Sequence, residues 1–153
     1  MTCITGATRR AFLATAGGGL AALALPSTIA LADAKAVAEE IKKLYGDKPL
    51  KDGRIKLDLP SIAENGLIVP LSFEVESPMT EADFVKAIHF FADGNPHPFV
   101  AAFTFTPLAP KAAASIRIRL AKTQNVVAVA EMSNGDLYTA AKEVKVTIGG
   151  CGG

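Results

Sequence analysis

The chain has 153 residues, of which 50% are hydrophobic, and a formal net charge of +1 from 16 basic and 15 acidic side chains. This length provides one ordinary domain core. The charge is balanced, with no basic stripe or acidic tail, which argues against nucleic acid and anionic membrane surfaces as partners.

The first 32 residues are typical of an export signal. Arg9 and Arg10 precede an apolar run over residues 12–25, and Ala30-Leu31-Ala32 is an A-x-A cleavage signal. The run is too short and too rich in glycine to cross roughly 30 Å of hydrocarbon as a helix. The arginine pair resembles the twin-arginine signal, which exports folded proteins. We expect cleavage after Ala32 and a periplasmic mature chain of 121 of the 153 residues.

A short helix is predicted over residues 34–45, which are rich in Ala, Glu and Lys. Val37, Ile41 and Leu44 recur at i, i+4 and i+7, which predicts one buried face. Asp33 is the candidate N-cap of this helix. Gly46 follows it, where a left-handed cap is favourable.

After the helix the hydrophobic period changes to two, which is typical of strands. Pro70 cannot donate to a strand ladder, so it predicts an edge or a bulge. Residues 84–92 are apolar on both faces, and residues 93–96 form a turn. Asn134-Gly135 is a hairpin signal. About seven strands are predicted, over residues 55–59, 67–75, 84–92, 99–105, 116–120, 126–132 and 137–148.

The order of these elements predicts an all-β fold. No strand is followed by a crossover helix, so we do not expect a parallel sheet. The best fit is an immunoglobulin-like antiparallel β-sandwich with a short N-terminal helix, and a small barrel is the second choice. The predicted organisation is a leader (residues 1–32), a sandwich domain (33–148) and a flexible C-terminal arm (149–153).

Residues for catalysis or for cofactor binding are scarce in this sequence. The two histidines, His89 and His97, have no second ligand at metal-binding spacing, so we interpret them as structural. No phosphate-binding glycine loop lies outside the leader, no Gly-x-Ser-x-Gly elbow occurs, and the carboxylates are scattered. We therefore predict no metal, no cofactor and no independent enzymatic activity.

The C-terminus carries the strongest functional signal. Once the leader is removed, Cys151 is the only thiol, so it cannot form an internal disulfide. Gly149, Gly150, Gly152 and Gly153 flank it and leave the backbone conformationally free. Five extended residues reach roughly 16–18 Å. A catalytic cysteine usually lies in an electropositive pocket, which this tail does not provide. We therefore interpret Cys151 as a carrier thiol, activated in the sites of other proteins.

The twin-arginine leader, short helix, β-rich domain and terminal Gly-Gly-Cys-Gly-Gly together resemble the SoxY family. SoxY is the sulfur-carrying subunit of the periplasmic thiosulfate-oxidising (Sox) system. The resemblance implies that Cys151 carries the substrate covalently after a c-type cytochrome conjugates thiosulfate to it. It further implies that a dimanganese hydrolase releases sulfate and that a molybdenum–haem dehydrogenase oxidises the remaining sulfane sulfur. It also implies a heterodimer with SoxZ, a β-sandwich subunit without its own signal.

Three other interpretations are compatible with parts of the sequence. A ubiquitin-like sulfur carrier also ends in Gly-Gly, but its activation is cytoplasmic, and the leader argues against it. A thiol enzyme acting alone would need a base beside the sulfur. An exported structural module dimerised through a Cys151 disulfide stays open, and such a dimer is also a possible resting form of a carrier.

Overall fold

The computed structural model describes residues 29–149, with side chains from residue 34. One helix is followed by nine strands. In chain order these elements are α1 (Ile29–Tyr45), β1 (Leu50–Asp52), β2 (Ile55–Asp58), β3 (Ile62–Asn65), β4 (Val69–Val75), β5 (Val85–Ala92), β6 (Phe99–Thr104), β7 (Ala112–Ile118), β8 (Gln124–Met132) and β9 (Leu137–Ile148).

The strands form two sheets that pack face to face. The larger sheet has the order β1-β9-β8-β5-β6, with β3 also paired to β9, and the smaller sheet has the order β2-β4-β7. Phe73 of β4 and Phe90 of β5 meet in the core between them, with ring centroids 5.0 Å apart, and Phe103 of β6 lies 5.2 Å from Phe73. The predicted immunoglobulin-like β-sandwich is thereby confirmed.

Two short strands, β1 and β3, were not predicted, and both pair with β9 in parallel. Leu50 is opposite Leu137, and Ile62 is opposite Lys145. No parallel sheet was expected, and all the other pairings among the described strands are antiparallel, so these two short parallel pairings are local exceptions. The chain that connects each parallel pair consists of other strands rather than a crossover helix. Strands of three and four residues are too short for a hydrophobic period to reveal them.

Helix α1 covers the outer face of the larger sheet. Val37 and Tyr45 pack there against Phe91, Val129 and Leu137, with Ile41 partly buried beside them. This second cluster explains why residues 84–92 are apolar on both faces: one face meets the smaller sheet and the other meets the helix.

The face and the start of the helix differ from the prediction. Leu44 is 48% exposed, and Tyr45 occupies the buried position instead. The helix begins at Ile29 rather than at residue 34, so Asp33 lies inside it and does not cap it.

The predicted chain reversals are confirmed. Gly46 has φ of 72°, and its N–H donates to the Lys42 carbonyl over 2.8 Å, as expected for a left-handed cap. Gly135 in the β8–β9 hairpin has φ of 86°.

Pro70 lies on β4 before the stretch that pairs with β2, so its missing N–H removes no hydrogen bond to β2. Within residues 29–149, no helix is long and apolar enough to cross a membrane.

Candidate functional site: the root of the C-terminal arm

Strand β9 leads directly into the glycine-rich arm, and its last residues are held differently from the rest of the strand. β8 pairs with β9 only as far as Val144. Beyond that point β3 continues the pairing, with Ile62 opposite Lys145 and Asn65 opposite Ile148. The sheet thus supports β9 up to the residue before the arm.

Loops on both sides add hydrogen bonds at this end of β9. The Val146 N–H donates to Thr123 Oγ1 over 3.0 Å. The Ile148 carbonyl accepts from the Gly66 N–H over 2.8 Å. These bonds satisfy backbone groups of β9 that β8 no longer reaches, so the root of the arm has a defined position.

Gly149, the last described residue, packs tightly against the backbone carbonyl of Ala121. A Cβ atom built at Gly149 would overlap the Ala121 oxygen. The close approach of the two backbones therefore requires a glycine at this position, independently of the φ and ψ angles that glycine allows. This contact could not be predicted from the sequence, because residues 121 and 149 belong to different segments of the chain.

Cys151, the predicted carrier thiol, lies outside the described residues, as do Gly150, Gly152 and Gly153. Their roles as thiol and arm therefore stay predictions. Measured from Gly149, the four following residues reach at most about 13–14 Å.

Large apolar side chains are exposed around the root. Ile62 on β3, Leu67 and Ile68 after it, and Ile148 at the end of β9 are between 45% and 66% exposed. Exposed apolar side chains that are grouped on a protein surface often contact another molecule. A protein that approached the root from this side would meet these apolar side chains.

The two histidines lie in different environments. His89 on β5 is half-buried, and its Nδ1 is hydrogen-bonded to the hydroxyl of Tyr45 on α1. Burial lowers the pKa of His89, against a weaker opposing effect of Glu131, and burial raises the pKa of Tyr45 well above its usual range. This contact agrees with a structural role for His89. His97 is exposed in the β5–β6 connection.

Over residues 29–149, no group of three or more His, Cys, Asp or Glu side chains is placed to hold a metal ion.

Comparison with known proteins places this architecture, a β-sandwich whose last strand leads into a cysteine-bearing glycine tail, in a defined class. The family described as "Sulfur oxidation protein SoxY" matches residues 41–151, and the matched segment ends at Cys151. The chain belongs to the SoxY family.

Solved structures agree with this assignment. The sulfur carrier protein SoxY from Chlorobium limicola f thiosulfatophilum is 36% identical, with a TM-score of 0.64; the match covers 75% of this chain and 99% of that one. A superoxide reductase (neelaredoxin) from Ignicoccus hospitalis is 20% identical, with a TM-score of 0.54, over 61% of this chain and 80% of that one. The second likeness shows the fold alone. A search of curated protein sequences found no match.

Proposed function

We propose that this protein is a periplasmic sulfur carrier that binds thiosulfate-derived sulfur covalently on Cys151 and presents it to the other Sox enzymes for oxidation to sulfate. The observation that carries the proposal is the family match, which extends through the whole sandwich to Cys151. The name of the Chlorobium relative, a sulfur carrier protein, supports the same role.

The proposed loading step joins the Cys151 thiol to the outer sulfur of thiosulfate. A sulfur–sulfur bond forms, the thiol loses its proton, and two electrons leave to a c-type cytochrome. In the next step, water cleaves the bond between the two thiosulfate-derived sulfur atoms. Sulfate and two protons are released, and a persulfide anion stays on Cys151. A molybdenum–haem dehydrogenase then oxidises that sulfane sulfur.

Several features of the described residues favour a carrier over a catalyst. The groups that bond to the root or lie exposed beside it include backbone amides, the Thr123 hydroxyl and apolar side chains such as Ile148. None of these groups is the histidine or lysine that usually activates a catalytic thiol. A thiol at the end of a short tether reaches a partner's active site at an effective concentration in the millimolar range.

The compartment and the stable partner follow from the leader. A twin-arginine signal exports a folded protein, and it can carry a bound subunit across the membrane as well. We therefore propose a heterodimer with a SoxZ-like subunit that has no leader of its own. Contacts with the three enzymes are proposed to be transient, because tight docking would stop the transfer of sulfur between them.

Intact-mass spectrometry of the protein purified from thiosulfate-grown cells tests the proposal. We expect a chain that begins at Asp33 and carries thiosulfonate, sulfonate or added sulfur on Cys151, all removed by reductant. Cys151→Ser should abolish both the adducts and thiosulfate oxidation. Cys3→Ser is the matched control, because its thiol leaves with the leader and the variant should behave as the natural chain does.

A different outcome would favour the structural module. If Cys151→Ser abolished a disulfide-linked dimer but left thiosulfate oxidation intact, Cys151 would have a structural role and the carrier proposal would be wrong.

A further inference from the structure

An open groove of about 410 Å³ lies between strands β6 and β7. Among the described strands, β6 pairs only with β5, and β7 pairs only with β4. Both are therefore edge strands, and the groove runs between the two sheets where neither strand has a second neighbour. Phe99, Val100 and Ala101 line it on one side, and residues 116–119 line it on the other.

The groove has a positive polar lining. Arg117 and Arg119 contribute two positive charges from the β7 side, and no acidic residue is among the lining residues. Both arginines are exposed. Neither guanidinium forms an ion pair or a hydrogen bond with a residue of the described chain. The groove therefore suits an anion, and a guanidinium is the cation that best matches a planar or tetrahedral oxyanion.

The groove adjoins the root of the C-terminal arm. Asn95, a groove residue, accepts from the Ala121 N–H and donates through Nδ2 to the Arg119 carbonyl, each over 2.9 Å. Gly149 packs against the carbonyl of the same Ala121. The segment of residues 119–121 is thus shared between the end of the groove and the root of the arm.

The chain that continues from Gly149 is long enough to enter the groove. Residues 150–153 reach at most about 13–14 Å. Arg119 is two residues from Ala121, which is about 7 Å along an extended chain. Under the proposed function, the arm carries an anionic sulfur group on Cys151.

We propose that the β6–β7 groove is a resting site for the tip of the arm, residues 150–153. In it, the anionic sulfur group on Cys151 lies against Arg119 and Arg117. The identity of the sulfur anion rests on the proposed function; the groove, its charge and its distance from the root do not. An exposed charge pair of this kind shifts the equilibrium between the free and the docked arm by only about two- to five-fold. The loaded arm is therefore retained loosely and remains available to partner enzymes.

A pair of nearly isosteric adducts tests this site in the full chain carrying Cys3→Ser. Iodoacetate places a negative group on Cys151, and iodoacetamide places a neutral one of almost the same size. We expect the anionic adduct to shift the NMR signals of the Arg119 guanidinium and of the Asn95 side-chain amide relative to the neutral adduct. Arg117→Gln with Arg119→Gln should reduce the shift at Asn95 by about two- to five-fold.

Lys111→Gln is the matched control, because it removes one exposed positive charge just before the other end of β7. It lies about 26 Å from Arg119 along the extended chain and should leave the Asn95 shift unchanged.

The proposal would be overturned if Arg119 and Asn95 had equal chemical shifts in the two adducts. It would also be overturned if the differences in chemical shift were centred on Ile68, at the apolar side of the root. This experiment uses chemically modified protein in vitro, so the resting-site proposal can be wrong while Cys151 still carries sulfur in the cell. Conversely, Cys151→Ser with normal thiosulfate oxidation would refute the carrier function and leave the charge preference of the groove intact.

Discussion

The hydroxyl of Tyr45 is hydrogen-bonded to Nδ1 of His89, which connects the last turn of helix α1 to strand β5 of the larger sheet. The two rings meet edge to face, with centroids 5.5 Å apart. Burial lowers the pKa of His89 and raises that of Tyr45, so both groups are neutral near pH 7. The helix is therefore attached by a bond between two side chains that are both uncharged near neutral pH.

The stability of the protein should depend on pH through His89. Its folded-state pKa lies below the ordinary value of 6.5, so the unfolded chain binds more protons at mildly acidic pH. We expect the melting temperature to be highest above pH 6.5 and to fall as the pH decreases from 6.5 through the folded pKa. His89→Gln should flatten this part of the profile, measured by thermal unfolding between pH 5 and pH 8.

His97→Gln provides the control for that profile. His97 is exposed and lies outside the helix–sheet contact, so its replacement should not change the slope of melting temperature against pH. An unchanged slope in His89→Gln would show that another group causes the pH dependence.

Truncation of the core should be costly at Phe90. Its side chain is fully buried between the sheets and contacts Phe73. Phe90→Ala should lower the free energy of unfolding by about 3–5 kcal/mol, since it leaves a cavity as well as losing apolar burial. Leu108, which is 93% exposed, provides the comparison. Leu108→Ala should change the urea midpoint very little, and similar losses at both sites would contradict the described core.

The hydroxyl of Thr123 should hold the end of β9 in place. It accepts the Val146 N–H over 3.0 Å, beyond the reach of β8. Thr123→Val keeps the shape of the side chain but removes the acceptor, at a cost of about 1 kcal/mol. We expect faster hydrogen exchange at the Val146 amide. Thr123→Ser restores the hydroxyl and should restore the slow exchange; equally fast exchange in both variants would show that the bond is unimportant.

A methyl group at residue 149 should displace the root of the arm. Gly149→Ala places a Cβ against the Ala121 carbonyl, and overpacking of this kind costs about 1–3 kcal/mol. We expect a lower urea midpoint and weaker exchange protection of the Gly66 amide, which bonds to Ile148. Gly152→Ala makes the same change further along the arm and should leave both readings unaltered. Identical behaviour of the two variants would argue against the contact at Ala121.

Long elements with a clear period could be predicted from the sequence, because each face of such an element repeats often enough to be recognised. The Asn134-Gly135 hairpin and strand β4 are examples, and Gly46 was recognised as a helix cap from its position alone. The short strands β1 and β3 could not be found in this way, since their place depends on β9, far along the chain.

Side-chain partners across the fold were equally inaccessible to sequence reasoning. Leu44 was predicted to be buried in place of Tyr45, because it stands at i+7 from Val37. Tyr45 takes the inner position, where its ring is buried and its hydroxyl has a partner in His89, 44 residues away. The contact between Gly149 and Ala121 and the groove beside Arg119 likewise join distant segments. Composition alone drew attention to Cys151, whose role as a thiol carrier stays a prediction.

The pairing of β9 determines how the protein would respond to a pull on its C-terminus. Three strands, β1, β3 and β8, pair with β9 along its length, and a pull along its axis would load many of their hydrogen bonds in shear at the same time. Shear of a whole ladder resists rupture better than peeling it one bond at a time. Under the proposed function, an enzyme that pulled on the tail would therefore load the hydrogen bonds of β9 together rather than one at a time.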